Sequence, residues 1–220
     1  MTTMSFFMIG SWTEGMFHFQ KIKPHVLSVK PGQVNARIFR LPVGYPVLVE
    51  KKSEDLENSQ SYDRISDRTD EQPNSHFIYG QILEVTADET LLALLDSFHG
   101  VHPTDPAKSL FHRKLLPVAD AALSELNVYM MNPAKLPKNS VEISGLCWRK
   151  SLFETPPLPA TLTEKQKEIL RQLGNVKGRD VVLVKDLTLY RDLMKLELIV
   201  DKGRRLALSA LGKDVFQYLM

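Results

Sequence analysis

Through roughly the first two thirds of the chain, apolar residues come in runs short enough for strands, and only one segment takes a clear helical period. Ser5-Phe6-Phe7-Met8-Ile9 is a short apolar run that stops at Gly10-Ser11-Trp12, with Thr13-Glu14-Gly15 behind it. It reads as a buried first strand feeding a glycine-bounded loop, whose backbone N–H groups can converge on a carboxylate. Val34 to Leu41 alternates in part and Pro42 to Val49 follows. These predict two strands, or a strand and an extended segment, around a Pro/Gly turn that carries Tyr45. His76 to Val85 is a strong strand pattern. Asp88 to Leu95 begins acidic and continues in leucines, which predicts a helix favoured by its own dipole and stopped by Gly100. Leu110 to Val118 predicts a strand, Ala121 to Met131 fits strand or helix, and Leu136 to Phe153 a helix or extended segment anchored by Trp148.

The last third changes character. Phe153 to Ala160 is rich in proline and reads as a stiff linker. Thr163-Glu164 then opens a capped helix with Ile169, Leu170 and Leu173 on one face. Leu187 to Ile199 predicts a second amphipathic helix, Val200 to Leu208 a tight hairpin, and Ala210 to Leu219 a closing helix. By contrast, 53–75 is almost wholly polar and cannot bury enough surface to order itself, so it is expected to be a flexible insertion. The resulting expectation is an α+β chain with a domain over 1–152, a linker over 153–160 and a small domain over 161–220.

Composition narrows this little. Of 220 residues, 43% are hydrophobic and 25% charged, with a net charge of +2, which suits a globular protein with a core and implies no nucleic-acid or membrane partner for the whole chain. Residues 161–220 hold 12 Lys/Arg against 8 Asp/Glu, a mild basic bias. A single cysteine, Cys147, excludes an intramolecular disulfide, leaves no cysteine cluster for zinc and points to a reducing cytoplasm. There is no secretory signal pattern and no run long enough to cross a bilayer.

The candidate chemistry gathers at Leu94-Leu95-Asp96-Ser97-Phe98-His99-Gly100, where a helix ends beside an imidazole that titrates near physiological pH. A lone histidine at a helix end more often satisfies nearby carbonyls than catalyses. His99, His102 and His112 lie close enough in sequence to suggest a divalent metal, but no carboxylate or cysteine stands at ligand spacing. They read better as ordinary pocket and surface histidines than as a metal site.

Taken in order, Ile9-Gly10-Ser11-Trp12 with Gly15, Gly44-Tyr45-Pro46-Val47-Leu48-Val49, Gly80-Gln81-Ile82, Leu95-Asp96-Ser97-Phe98-His99-Gly100 and Phe111-His112-Arg113 form a series of segments. In that order, over about residues 5–150, the chain resembles the γ-glutamylcyclotransferase-like superfamily, which includes the AIG2-like proteins. The resemblance implies a small β-barrel with surrounding helices and a pocket at one end, where the glycine loop grips a glutamyl group. It also implies a cofactor-free reaction of transferase or lyase type. The helix-end Glu takes a proton from the substrate α-amine, which attacks the γ-carbonyl and releases 5-oxoproline and an amine.

Here that Glu is His99, the loop aromatic is Ile9, the loop leucine is Trp12 and the strand carboxylate is Gln81. An imidazole can accept the proton but cannot attract the substrate ammonium as a carboxylate does. Whether the chain is an enzyme stays open on the sequence. The first reading is a degenerate pseudoenzyme or altered-specificity pocket for γ-glutamyl-type or related small ligands, bound by Ile9, Gly10, Ser11, Trp12 and Tyr45. The second is an active γ-glutamyl(amine) cyclotransferase with His99 as base, and Glu14 offers a substitute carboxylate from the loop. Trp12 and Tyr45 either line an aromatic pocket or plug the barrel mouth. The third reading places function in 161–220, which looks like a winged-helix domain. There Arg191, Lys195, Arg204 and Arg205 would meet DNA, although the mixed charge of the second helix favours protein docking or self-association.

Overall fold

The structure, a computed structural model, describes residues 2–51, 77–116, 126–143, 148–176, 182, 186–203 and 205–220. The polar insertion 53–75, residues 121–125, Cys147 and Arg204 lie outside the described residues. The chain is mixed α+β and divides into two compact units, residues 1–41 with 45–150, and residues 42–44 with 151–220.

In the first unit the strands are β1 (Thr3–Met8), β2 (Val26–Asn35), β3 (Arg37–Arg40), β4 (Pro46–Val49), β5 (Phe77–Thr86), β6 (Phe111–Leu116), β7 (Leu126–Met131) and β8 (Val141–Glu142). Helices α1 (Phe19–Ile22), α2 (Glu89–Phe98) and the start of α3 (Trp148–Glu154) accompany them. Strand order is β2-β5-β1-β7-β4-β3-β8, with β6 also on β7. The sheet curls as a half-barrel, and among the described residues its terminal strands β2 and β8 are not paired with each other. The small β-barrel with surrounding helices expected from the resemblance is met as a curled half-barrel in a mixed α+β chain. β2 suits an edge: it carries Lys30 and Pro31, and proline in a sheet is tolerated where no inward N–H is needed.

The centre of the sheet is β7, whose six residues are all buried, as are the four of β4. Strands with parallel neighbours are buried on both faces rather than alternating, and Leu126 to Met131 follows that rule, with Asn127 as its polar exception, whose side-chain amide donates to the Ser5 carbonyl. This resolves its helix-or-strand ambiguity in favour of strand over the described part. One edge of β7 carries β6 along its whole length. On the other edge the chain forks. β1 pairs in parallel with Asn127 and Val128, and β4 pairs in parallel with Met130 and Met131. Tyr129 lies between the two pairings. β1 leaves the sheet at this fork, and its continuation is the glycine loop.

In the first unit the core packs Phe6, Met8, Leu83, Val85, Leu91, Leu95, Phe111 and Tyr129 together. α2 starts on an Asp88 cap that accepts from the Thr90 N–H, and it ends where Gly100 takes φ +59°. Trp148 is buried and its indole N–H donates to the Tyr79 carbonyl at 2.6 Å, so the expected anchor is in place at the start of a helix.

The second unit holds the rest of α3, then α4 (Leu158–Thr161), α5 (Glu164–Asn175), α6 (Leu187–Lys195), β9 (Ile199–Asp201), β10 (Leu206–Leu208) and α7 (Ala210–Leu219). Thr163 and Gln166 form a complete capping box at the start of α5. The proline-rich segment is less of a linker than its composition suggests, since α3 runs to Glu154 and α4 starts at Leu158 behind Pro157. The helix expected over Leu187 to Ile199 stops at Lys195. Glu197 turns the chain with φ +56°, and Ile199 opens the hairpin instead. α5 and α7 pack so closely that a Cβ on Gly174 would meet the Phe216 ring at 2.4 Å.

Candidate functional site at the sheet fork

Gly10-Ser11-Trp12 forms a 3₁₀ turn directly after β1, with Gly10 at φ +64° and a Cβ there only 3.3 Å from Pro46. All three residues are buried, and Ile9 is half-buried. The loop is thus wedged against the start of β4. Several amides just beyond it bond within the protein. Thr13 N–H donates to the Gly10 carbonyl, Met16 N–H to Thr13 and His18 N–H to Ser11. Glu14 N–H donates to Gln81 Oε1 at 2.7 Å.

Trp12 turns into the fork at 3% exposure. It stacks on His18 at 5.0 Å between centroids, meets Phe98 edge-on at 4.8 Å and lies 6.0 Å from His99. His99 in turn stacks flat on Tyr129, with centroids 3.9 Å apart and rings 3° from parallel, and sits edge-on to Phe111 at 5.2 Å. Its Nδ1 lies 2.8 Å from the Leu95 carbonyl. A carbonyl can only accept, so Nδ1 carries the proton in the neutral ring. Burial lowers the His99 pKa from 6.5 to about 4; the bond to Leu95 opposes this shift, and nearby His18 adds to it.

A polar group flanks this ring cluster. The Tyr129 hydroxyl donates to Asp96 Oδ1 at 2.7 Å, and Arg113 Nε approaches the same oxygen at 3.3 Å. Burial, then the Asp96 bond, holds the Tyr129 phenol well above its ordinary range, so it stays protonated. Asp96 therefore anchors Tyr129 beneath His99 and is itself neutralised by Arg113.

Of the residues named from sequence, Gly10, Ser11, Trp12 and His99 are brought together at the fork. Tyr45 is half-buried on the β3–β4 turn, next to the Pro46 that Gly10 abuts, and burial raises its pKa. His102 is occupied in its own loop, where Nδ1 accepts from Asp105 N–H at 3.0 Å. Among the described residues no three His, Cys, Asp or Glu side chains gather as a metal set would. His18 and Tyr129 were not singled out from sequence, nor was the grouping of Tyr129 with Asp96 and Arg113, which stood in separate motifs. His18 had only its place between Phe17 and Phe19 as a signal, and the other group joins α2 to β6 and β7, which lie apart in the chain. A cleft of about 460 Å³ opens elsewhere in the first unit, beside Gln81 and Glu14, and none of Ile9, Gly10, Ser11, Trp12, Tyr45 or His99 lines it.

No family model and no curated protein matches the chain. Solved structures resemble parts of it. A uropathogenic E. coli-specific protein is 13% identical with a TM-score of 0.42, over 68% of this chain and 95% of that one. Allophanate hydrolase from Kluyveromyces lactis is 13% identical with a TM-score of 0.41, over 70% of this chain but only 21% of its own. An AIG2-like protein from Mus musculus is 19% identical with a TM-score of 0.38, over 62% of this chain and 86% of that one.

Proposed function

We propose that this chain is a γ-glutamylcyclotransferase-like protein whose fork no longer closes rings, and which binds a small γ-glutamyl-type ligand without turning it over. The observation that carries the reading is the enclosure of His99 by Trp12, Phe98, Phe111 and Tyr129. Ring closure needs a base that reaches the substrate α-amine and then returns the proton to the departing amine. An imidazole with its pKa near 4 holds a proton weakly at neutral pH. It also lacks the negative charge that would attract an ammonium group. The loop amides of Thr13, Glu14, Met16 and His18 are engaged within the protein, which weakens the loop as an anion grip.

The experiment is incubation of the purified protein with γ-glutamyl-alanine and with γ-glutamyl-lysine, followed by assay of 5-oxoproline. The expected result is no product above the protein-free background. Product that disappears in a His99→Ala variant would establish the active-enzyme reading instead.

Residues 161–220 enter this reading as a winged-helix-like module for protein docking or self-association, and the setting as cytoplasmic. The exposed positions of α6 are Leu187, Thr188, Arg191 and Lys195, a mixed face, whereas phosphate contact asks for a dense basic one. A gel shift with random DNA is expected to show no salt-dependent complex, and a strong one would turn the assignment to DNA.

A further inference from the structure

The glycine loop contributes to two places. Trp12 goes into the fork, while Glu14, two residues on, lines the open cleft. Val29 and Pro31 of β2 give that cleft an apolar lining, and its polar groups come from Glu14, Lys30, Gln81 and Arg149. Three of these are charged, two positive and one negative. None of the three forms an ion pair with another described residue.

Two of the groups are also held in place. The Arg149 guanidinium lies 5.4 Å from the centre of the Trp148 ring, and Trp148 is itself fixed by its bond to Tyr79. Stacking on a ring leaves the guanidinium donors directed outward for a carboxylate. The loop amide of Glu14 is fastened to Gln81 Oε1. A backbone N–H requires oxygen at that end of the side-chain amide, so the Gln81 NH₂ is turned away from the loop as a donor.

We propose that this cleft is a binding site for a small α-amino dicarboxylate, with Lys30 and Arg149 meeting its two carboxylates and Glu14 its ammonium group. The charge pattern selects the class. A plain dicarboxylate would leave Glu14 opposing it, and a simple amino acid would leave one cation unmatched. The inference rests on the reading of the first unit as a ligand-binding domain and locates that binding away from His99.

The test is calorimetric titration of the full chain with L-glutamate, glutarate and L-alanine at low salt. L-glutamate is expected to bind saturably, with glutarate and L-alanine weaker by about tenfold or more. Lys30→Ala and Arg149→Ala are each expected to weaken L-glutamate by about tenfold or more, and Glu14→Gln to abolish its advantage over glutarate. Lys30, Arg149 and Glu14 are exposed, so the variants are expected to melt with the parent protein, which a thermal scan checks. No saturable L-glutamate heat up to about 10 mM, equal affinity for glutarate, or indifference to the three substitutions would overturn the site. Formation of 5-oxoproline in the separate turnover assay would overturn the loss of ring closure and leave the cleft assignment standing.

Discussion

His99 keeps its Nδ1 proton against the Leu95 carbonyl and its ring flat on Tyr129, so adding a second proton would charge a side chain that has little contact with water. The folded pKa of about 4 lies below the unfolded value of 6.5, so the unfolded chain binds the extra proton first. The stability that depends on neutral His99 is therefore complete above about pH 6.5. It is lost as pH falls towards 4, by up to about 1.4 kcal/mol per pH unit and about 3 kcal/mol in all. Urea unfolding at pH 7 and pH 5 checks this. Wild type is expected to lose about 2 kcal/mol more than His99→Phe over that interval, and equal losses would mean that burial does not govern this imidazole. Trp12 allows a second comparison, because its indole N–H has no hydrogen-bond partner among the described residues and its value lies in packing. Trp12→Ala should cost about 3–5 kcal/mol and Trp12→Phe less than about 1.5 kcal/mol, measured by the same unfolding curves. The sequence singled out both residues through their places in a series of motifs. It could not show that they pack with His18 and Tyr129, because these rings come from three separate segments that only the fork brings together.

Elements with a strong local signal were legible and those set by a partner were not. α2, α5 and α7 carry caps from Asp88, Thr163 and Ser209, and their starts were visible as polar residues before apolar periods. The early end of α6 had no such mark. Glu197 takes a left-handed turn that any sequence rule would give to glycine, and Ser209 Oγ donating to its carbonyl helps to hold it there. The fork in the sheet was equally hidden, since parallel pairing leaves no local spacing to read. Close helix packing in the second unit gives a prediction at this scale. A Cβ on Gly212 of α7 would lie 1.9 Å from the Leu198 carbonyl oxygen, which is backbone and cannot turn aside. On Gly174 of α5 its nearest neighbours would be atoms of the Phe216 ring, which can turn, and alanine there gains about 1 kcal/mol of helix propensity. Gly212→Ala is expected to cost more than about 3 kcal/mol and Gly174→Ala about 1–2 kcal/mol. Thermal unfolding followed by circular dichroism separates them, and equal costs would contradict the packing described for α7.

For the whole molecule, a linear division at the proline-rich segment misses that the chain enters the second unit twice. Pro42–Gly44, the turn between β3 and β4, belongs with Ser151–Met220. Val43 is buried to 1% exposure and its carbonyl accepts the Leu158 N–H at 3.0 Å. No periodicity announces this, because a three-residue turn carries too few positions to reveal which face it buries. The consequence is mechanical. β3 and β4 are tied through their own connection to the second unit, so removing 151–220 exposes Val43 and leaves its carbonyl without that donor. Exposing a valine side chain costs about 1.5–3 kcal/mol, equivalent to about 3–12 °C in melting temperature for a chain of this size. Both tryptophans, Trp12 and Trp148, lie in the first unit, so their fluorescence follows its melting alone. The truncated chain 1–150 is expected to lose its tryptophan signal about 3–12 °C below the intact protein. If the two melt together, the turn at Val43 contributes nothing to the half-barrel, and the two units are energetically separate despite the shared segment.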